Sequence, residues 1–308
     1  MNNIHSLKYK LKYLYYRFVW NIAPYLRLES PVHIDIEPNN NCNQKCVMCW
    51  HSDPENLPFK NATLPKKKVF KILEEGRAIG ALSVKFNLRG EPTIYKDIRS
   101  VVKYASELGY TDIMINTNGQ CEFGKLLSIL EAGVTTCIIS VDSFKKESYC
   151  KIHNCSPSHY NRLLKNLYKL KHLHIKKELN TKIKLNYHIN TINEHDSLDL
   201  YKRAFKCFNL MVRGTAKREG EDISHQEYRK RKKYCPHMHR RLTITANGNI
   251  YPCCICWSEP EDIKLGHIDD GLEDIWRGHE HTRLIYSYKH KIFPKSCAEC
   301  SSNDIYSI

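Results

Sequence analysis

The segment Cys42-Asn43-Gln44-Lys45-Cys46-Val47-Met48-Cys49 places three cysteines within eight residues. It follows residues 32–37, whose alternating apolar side chains predict a first strand. Structural zinc sites use four ligands, usually in two separated pairs, and four-iron clusters normally take four cysteines. Three thiols without a local fourth therefore favour an iron–sulfur cluster with one iron open to a non-protein ligand. The alternative is a zinc loop completed by His51 or by a distant residue.

The sequence beyond this loop alternates between strand and helix patterns. The predicted strands are residues 32–37, 82–88, 112–116, 135–141, 182–189 and 209–212. The predicted helices between them are residues 65–79, 95–108, 124–132, 159–173 and 197–207. This alternation predicts an α/β fold with a parallel sheet and crossover helices.

Four further segments lie where predicted strands end: Arg89-Gly90-Glu91-Pro92, Asn116-Thr117-Asn118-Gly119, Ile139-Ser140-Val141-Asp142 and residues 186–190. The carboxyl ends of successive parallel strands converge on one face of a barrel, where a site is expected. Together with the cysteine loop, these segments resemble the radical S-adenosylmethionine (radical SAM) enzymes. The loop is similar to their CxxxCxxC motif, and Arg89–Pro92 is similar to their GGEP motif with Arg89 in place of the first glycine. Each match alone is weak, but five in order across about 150 residues are strong.

The resemblance implies a partial (β/α)6 TIM-like barrel and an enzyme. It implies a [4Fe–4S] cluster held by Cys42, Cys46 and Cys49, whose open iron binds S-adenosylmethionine (SAM). Reductive cleavage of SAM to methionine and a 5′-deoxyadenosyl radical would then allow hydrogen-atom abstraction from a substrate. An external one-electron reductant such as flavodoxin or ferredoxin is expected.

The same resemblance supplies the expected SAM contacts, which are Met48, Gly90, Glu91, Asn118, Ser140, Asp142 and Asn190. Gly90 permits close backbone approach, and Glu91 can accept hydrogen bonds from the methionyl ammonium. Ser140 and Asp142 suit the methionyl or ribose groups. Arg89 departs from the motif: it could face substrate instead, or mark a protein that binds SAM without cleaving it.

A second group of cysteines lies near the carboxyl end. Cys235, Cys253, Cys297 and Cys300 resemble the SPASM/twitch extensions of radical SAM enzymes, which implies a small cysteine-rich α+β domain with one auxiliary [4Fe–4S] cluster. Cys254 and Cys256 rival Cys253 as ligands. A structural zinc site with four cysteines is the alternative. A fully ligated cluster would transfer electrons or simply hold this domain over the barrel.

The predicted organisation has four parts: residues 1–30 form a basic amphipathic helix, 31–216 the barrel, 217–234 a charged linker and 235–308 the auxiliary domain. The helix carries an apolar stripe of Leu7, Leu11, Leu14, Phe18, Ile22 and Tyr25, surrounded by Lys8, Lys10, Lys12 and Arg17. Such stripes usually pack on protein, so we favour packing on the barrel over contact with an anionic membrane.

Composition narrows the class of protein. Hydrophobic residues make up 42 % and charged residues 26 % of 308 residues, which argues against a disordered chain. No secretory signal or membrane-length apolar run is evident, so 14 cysteines predict a reduced, cytoplasmic protein. The net charge of +15 and the basic run 229–233 allow a non-enzymatic zinc-dependent nucleic-acid-binding protein as an alternative, although nucleic acid is not the favoured partner.

The preferred function is oxidation (dehydrogenation) or epimerisation of a carbohydrate- or cyclitol-type alcohol, because a single auxiliary cluster resembles an aminocyclitol dehydrogenase of the family. The alternative is maturation of a peptide or protein substrate. Only about 30 residues precede the first strand, which disfavours a peptide-recognition domain there. Possible proton acceptors are His237, His239, Glu259 and Asp262, and nothing in the sequence selects among them.

Overall fold

The computed structural model describes residues 3–26, 28–49, 61–213, 235–254 and 256–298. Within them the strands are β1 (His33–Ile36), β2 (Ser83–Phe86), β3 (Asp112–Thr117), β4 (Thr136–Ser140), β5 (Lys182–His188), β6 (Asn209–Arg213), β7 (Arg241–Ile244), β8 (Asn249–Tyr251) and β9 (Gly266–His267). The helices are α1 (Leu7–Ile22), α2 (Lys66–Ala78), α3 (Ile98–Glu107), α4 (Phe123–Glu131), α5 (Lys146–His153), α6 (Pro157–Ile175), α7 (Leu272–Arg277), α8 (His279–Lys289) and α9 (Lys295–Ala298).

The first six strands form the predicted parallel sheet. The order across the whole sheet is β6-β5-β4-β3-β2-β1-β7-β8-β9, and every pairing from β1 to β6 is parallel. Helices connect successive strands, and apolar side chains such as Ile34, Phe86 and Ile113 are fully buried beneath them. Within the described residues the sheet does not close, and the predicted α/β partial TIM-like barrel is confirmed.

The carboxyl-terminal segment is built into the same sheet. Strand β7 pairs in parallel with β1, with His33 opposite Arg241 and Ile36 opposite Ile244. A hairpin at Asn247-Gly248, where Gly248 has φ +92°, then turns the chain into the antiparallel strands β8 and β9. Main-chain hydrogen bonds therefore join the cysteine-rich segment directly to the first barrel strand.

Two elements of the barrel differ from the predictions. The stretch before residue 157, which shows no clear periodicity, contains α5, whose Tyr149, Ile152 and His153 are buried. With only eight residues, α5 is too short to show a clear period. The predicted helix 197–207 is reduced to a π-helical turn, Tyr201–Phe205, held by aromatic contacts to Phe144 at 5.9 and 6.2 Å.

Helix α1 crosses the amino-terminal ends of the strands and packs through an aromatic face. Tyr9 and Tyr16 are buried, Trp20 lies 5.6 Å from the ring of His33 at the start of β1, and Lys182 at the start of β5 lies 3.9 Å above the ring of Tyr13. The helix packs on the barrel as predicted.

The face of α1 that was predicted to pack points away from the protein. Leu7, Leu11, Leu14 and Phe18 are 73, 58, 64 and 61 % exposed, so the prediction that this stripe is buried was wrong. Leu7-Leu11-Leu14-Phe18 and Tyr9-Tyr13-Tyr16-Trp20 have the same helical spacing, so periodicity alone cannot choose between them. The amino-terminal end of the barrel presents charged groups such as Lys182 and Asp112. Tyrosine side chains can pack on this surface because they combine an apolar ring with a polar hydroxyl.

Some predictions fall outside the described residues: the linker 217–234 with its basic run 229–233, Cys300, and His51 as a zinc ligand. Among the helices that are described, none has both the length and the apolar character that crossing a bilayer requires.

Candidate active site

A cavity of about 340 Å³ opens at the carboxyl ends of the parallel strands. Its size is within the range of small-molecule sites, about 300–1,000 Å³. The sequence-predicted residues that line it are Cys42, Cys46, Met48, Cys49, Gly90, Glu91, Asn118, Ser140 and Asp142. Most of the predicted site therefore meets at one cavity, as expected for strand-end residues of a partial barrel.

The three-cysteine loop is fixed from both sides. The Cys49 amide donates to the Cys46 carbonyl at 2.9 Å, and the Val47 amide donates to the carbonyl of Ile152 on α5 at 2.8 Å. Burial, together with the negative charge of neighbouring cysteines, raises the pKa of Cys46 well above its ordinary value. Burial also raises the pKa of Cys42 to about 12. The thiols are therefore protonated near neutral pH, and binding a cluster as thiolates must release protons.

Gly90 is required by the packing between β2 and the segment that leads into this loop. A Cβ atom at position 90 would lie 2.2 Å from the carbonyl oxygen of Asn39 and 2.8 Å from that of Asn41. The next amide, that of Glu91, donates to the Asn41 carbonyl at 2.7 Å. A glycine thus allows the motif after β2 to position the cysteine loop directly.

Glu91 joins the ends of β2 and β3. Its Oε1 accepts hydrogen bonds from the Thr93 amide, the Thr93 hydroxyl and the Thr117 hydroxyl at 3.0, 2.6 and 2.8 Å. Its Oε2 accepts one from the Asn118 amide at 2.8 Å. Burial raises the pKa of this carboxyl, although these hydrogen bonds oppose the shift. Only Oε2 retains clear acceptor capacity for the predicted ammonium contact.

His153 is a site residue that the sequence analysis missed, because α5 was not predicted. Its Nδ1 lies 3.0 Å from Sγ of Cys46, and its Nε2 lies 3.4 Å from Oδ2 of Asp142. Asp142 has a left-handed backbone, φ 52°, and its Oδ1 accepts from the His188 amide at 2.9 Å. The strained Asp142 therefore connects the cysteine loop to the end of β5.

Arg89, the departure from the GGEP motif, is a buried clamp. Its Nε and Nη2 donate to the two carboxylate oxygens of Glu37 at 2.9 and 2.5 Å, and Nη2 also donates to Glu259 at 2.7 Å. The Arg89 side chain has no exposed surface. Arg89 does line the cavity, but its guanidinium is bound to Glu37 and Glu259 and ties β1 and β2 to the carboxyl-terminal segment. That Arg89 faces substrate stays a prediction.

The inner wall of the cavity carries polar groups on alternate strand positions. Those beyond the predicted set include Asp35, Lys85, Asn87, Asn116, Asn186, His188 and Arg213. Burial lowers the pKa of Lys85 below its ordinary value. Burial would raise the pKa of Asp35, but Arg241, 2.8 Å away, and His33 hold it well below its usual range. Polar residues inside otherwise apolar strands, as in His33-Ile34-Asp35-Ile36, were the signal that could have identified them.

Two amide oxygens on this wall have no partner within the described structure. Oδ1 of Asn116 and Oδ1 of Asn186 are buried and accept no hydrogen bond. Buried acceptors without partners are costly unless a ligand or water supplies a donor. These two acceptors therefore fit a ligand that carries hydroxyl or ammonium groups.

Asn190 does not line the cavity. Its Oδ1 accepts from the Ile192 amide at 2.9 Å and its Nδ2 donates to the His188 carbonyl at 3.3 Å, so the side chain closes a turn after β5. Asn186 and His188 occupy the lining from this strand instead.

The suggested proton acceptors lie elsewhere, so the suggestion that they face substrate was wrong. His237, His239, Glu259 and Asp262 do not line the cavity. Glu259 binds Arg89, and the Asp262 carboxylate accepts from the Ser296 amide and hydroxyl at 2.9 and 2.6 Å. Asp262 thereby stabilises the short helix α9, which carries Cys297.

The second cysteine group divides into different environments. Cys254 lines the cavity, whereas Cys256 is fully buried, close to the charges of Arg89 and Glu37. Cys235, Cys253 and Cys297 pack with the main core, and their role as cluster ligands stays a prediction. Among the described residues, no three His, Cys, Asp or Glu side chains are spaced to hold a single metal ion.

A partial barrel with three cysteines at its mouth and a cysteine-rich carboxyl-terminal extension defines a class of iron–sulfur radical enzymes. The Radical SAM superfamily matches residues 36–204, and the SPASM iron–sulfur cluster-binding domain matches residues 235–301. The chain belongs to the radical SAM superfamily: it is an enzyme that uses SAM and a [4Fe–4S] cluster, with auxiliary iron–sulfur binding in its carboxyl-terminal domain. A non-enzymatic zinc-dependent protein is thereby excluded.

Curated relatives align over the barrel. A GTP 3′,8-cyclase of Limosilactobacillus fermentum is 32 % identical over 165 residues, which cover 53 % of this chain and 46 % of the relative. The molybdenum cofactor biosynthesis protein moc-5 of Caenorhabditis elegans is 29 % identical over 126 residues, covering 41 % of this chain and 21 % of the relative. The matches thus span about half the length of these relatives or less.

Solved structures share the fold over most of the chain. BtrN in complex with AdoMet and 2-DOIA has a TM-score of 0.55 at 15 % identity, covering 88 % of this chain and 92 % of BtrN. Streptococcus suis SuiB bound to S-adenosylmethionine has a TM-score of 0.57 at 20 % identity, covering 99 % of this chain and 79 % of SuiB. At these identities the likeness concerns the fold alone.

Proposed function

We propose that this enzyme removes a hydrogen atom from a small polyhydroxylated alcohol of the carbohydrate or cyclitol type and oxidises it to the carbonyl. One observation carries the proposal: the two unpartnered acceptors in the described cavity wall, Asn116 Oδ1 and Asn186 Oδ1, lie among the charged residues Asp35, Lys85 and Arg213. A ligand rich in hydroxyl groups can donate to these oxygens and accept from the cations. An apolar substrate would leave both acceptors unsatisfied.

We retain the predicted organisation of the chain, with the amino-terminal helix in residues 1–30, the barrel in 31–216, the linker in 217–234 and the auxiliary domain in 235–308. Cys42, Cys46 and Cys49 would hold the SAM cluster, and Cys235, Cys253, Cys297 and Cys300 one auxiliary cluster. Met48, Gly90, Glu91, Asn118, Ser140 and Asp142 would contact SAM, whereas Asn190 lies outside the cavity lining and would only shape the turn after β5. When bound, the cofactors supply a 5′-deoxyadenosyl radical that accepts the hydrogen atom, with an external one-electron reductant such as flavodoxin or ferredoxin providing the electron.

The chain's own part in the oxidation is to bind the alcohol and take its proton. Oxidation of a secondary alcohol removes the carbon-bound hydrogen as an atom, one more electron, and the hydroxyl proton. The electron would pass to the auxiliary cluster and the proton to Lys85. Burial lowers the pKa of Lys85, which makes its amine a better proton acceptor near neutral pH than an ordinary lysine. Asp35, held ionised beside Arg241, would accept a hydrogen bond from a second hydroxyl.

A deuterium-transfer assay tests the proposed reaction. Anaerobic enzyme loaded with iron and sulfide is reduced with SAM and carbon-deuterated sugars or cyclitols, and mass spectrometry detects deuterium in 5′-deoxyadenosine. We expect transfer from a polyol, together with a product that has lost the carbon-bound deuterium and the hydroxyl hydrogen. Asn116→Ala and Asn186→Ala should raise KM, whereas Asn209→Ala, exposed at the start of β6 and outside the cavity lining, should not. Deuterium arriving only from a peptide, or a product of unchanged mass, would contradict the proposed dehydrogenation.

A nucleotide is the second candidate substrate, because curated relatives are GTP 3′,8-cyclases and because Lys85 and Arg213 could bind phosphate. The same assay with deuterated GTP separates the two. A peptide remains an alternative, since the fold resembles that of SuiB bound to the precursor peptide SuiA. Transfer from GTP or from a peptide, with none from any polyol, would replace the preferred substrate class.

A further inference from the structure

We propose that the outward face of α1 lies in the interface of an anionic lipid bilayer. The inference does not depend on the proposed substrate, because it concerns the opposite end of the barrel. We assign this face of α1 to a lipid surface. Binding of a second copy of the chain or of a partner protein to the same face is the alternative that the test must exclude.

The first observation is a continuous apolar face without cover. Leu7, Leu11, Leu14 and Phe18 are spaced by four, three and four residues, so they form one stripe along about three turns of helix. All four are exposed, and Tyr15 beside them is 61 % exposed. Just beyond the helix, Tyr25 and Leu26 are also exposed. Several large apolar side chains in one contiguous patch mark an interaction surface.

The second observation is the charge on both borders of this stripe. At about 100° per residue, Lys10 and Arg17 lie along one border, and Lys8 and Lys12 lie along the other. Helix α1 contains no acidic residue. An apolar face with cations on both sides is the arrangement of helices that lie in the plane of an anionic membrane. The lysine stems can extend along the acyl region while their ammonium groups reach the phosphates.

The same charges disfavour self-association. In a two-fold pair the stripe of one copy would face the same stripe of the other, which brings cationic borders together. With no carboxylate on α1, nothing on the helix compensates that repulsion. An anionic headgroup layer is complementary to both borders at once.

The inner face of α1 is already fixed, so the helix needs no refolding to present its outer face. Tyr9 and Tyr16 are buried, and the guanidinium of Arg240 lies 4.0 Å above the ring of Trp20. These contacts lie at the amino-terminal ends of the strands, whereas the cavity opens at their carboxyl ends. A bilayer against α1 would therefore leave the cavity mouth free.

Vesicle co-sedimentation of the full chain tests the inference. We expect binding to phosphatidylcholine vesicles that contain phosphatidylglycerol, weak binding to phosphatidylcholine alone, and loss of binding as salt rises. Lys8→Gln or Lys10→Gln, one exposed lysine from each border, should each weaken binding about fivefold. The double variant Leu11→Glu, Phe18→Glu should weaken it by at least about tenfold. Ile292→Glu, an equally exposed apolar residue on the carboxyl-terminal segment, is the matched control and should bind normally.

Two results would overturn the inference. One is unchanged vesicle binding by the double variant with an unchanged melting curve. The other is a dimer of the native chain in light scattering, with no vesicle binding, that the double variant converts to a monomer. Because the substituted side chains point outward, SAM cleavage without lipid should be the same in all variants. This readout keeps the inference separate from the proposed substrate.

Discussion

His153 Nδ1 lies 3.0 Å from Sγ of Cys46, although 107 residues separate them in the chain. The imidazole is buried on α5, and its second nitrogen faces Asp142 at 3.4 Å. Because burial lowers the pKa of His153, the ring tends to be neutral, and its tautomer decides which neighbour receives the proton. A cluster-bound Cys46 is a thiolate, so a favourable contact requires the proton on Nδ1.

We expect His153→Leu to weaken retention of the SAM cluster about 10–100-fold, because the hydrogen bond to the Cys46 sulfur is lost. The reduction potential of the cluster should become more negative, since hydrogen bonds to sulfur favour the reduced form. His153→Asn is the matched control, because an asparagine amide can place a donor near the position of Nδ1. Redox titration followed by electron paramagnetic resonance measures the potential. Equal potentials in the native, Leu and Asn proteins would show that His153 only packs against the loop.

Replacing Arg89 by methionine should destabilise the protein by about 3–5 kcal/mol, because Glu37 and Glu259 lose the charge that pairs them in the interior. Urea denaturation under anaerobic conditions measures the change. Arg283→Met removes a half-exposed ion pair with Glu280 and should cost at most about 1 kcal/mol. If Arg89→Met lowered the free energy of unfolding no more than Arg283→Met, the buried ion pairs of Arg89 with Glu37 and Glu259 would not stabilise the fold.

Gly90→Ala should reduce iron incorporation, since the new methyl group meets the Asn39 carbonyl at 2.2 Å and must displace the segment that leads into the cysteine loop. The expected loss of stability is about 1–3 kcal/mol. Gly124→Ala is a suitable control, because a Cβ there meets no atom within 4 Å. Iron per chain after anaerobic reconstitution is the measurement, and full loading of Gly90→Ala would refute this role for the glycine.

The parallel sheet and most of the residues at the cavity mouth could be predicted from the sequence, because local motifs such as Asn116-Thr117-Asn118-Gly119 mark the strand ends. The sequence was not sufficient for contacts made by tertiary packing. Arg89 pairs with Glu259 across 170 residues, and no local pattern records that distance. Similarly, the leucine stripe and the tyrosine stripe of α1 have the same helical period. Only the surface of the barrel determines that the tyrosine stripe is the one that packs against it.

Cluster loading should depend on pH through the cysteine thiols. Because burial raises the pKa of Cys42 to about 12 and also raises the pKa of Cys46 well above its ordinary value, binding as thiolates releases protons, and equilibrium iron binding against a chelator should rise from pH 6.5 to pH 8.5. The folding stability of the protein without its cluster should change in the opposite direction and fall as the pH rises. A raised folded-state pKa stabilises it below the unfolded thiol value, about 8.5, and that contribution disappears as the pH rises further. A pH-independent iron affinity would contradict the burial of these thiols.

Lys85 provides the sharpest test of the proposed oxidation. Only the unprotonated amine can accept the hydroxyl proton, so product formation should rise with pH through the lowered pKa of Lys85 and then level off. Lys85→Met should reduce product formation about 10²–10⁴-fold and remove this pH dependence, while SAM cleavage without product continues. Lys184→Met, on β5 but outside the cavity lining, should retain both activity and pH profile. His188, which does line the cavity, is the competing base: if His188→Gln abolished the pH dependence and Lys85→Met did not, the proton would pass to the imidazole instead.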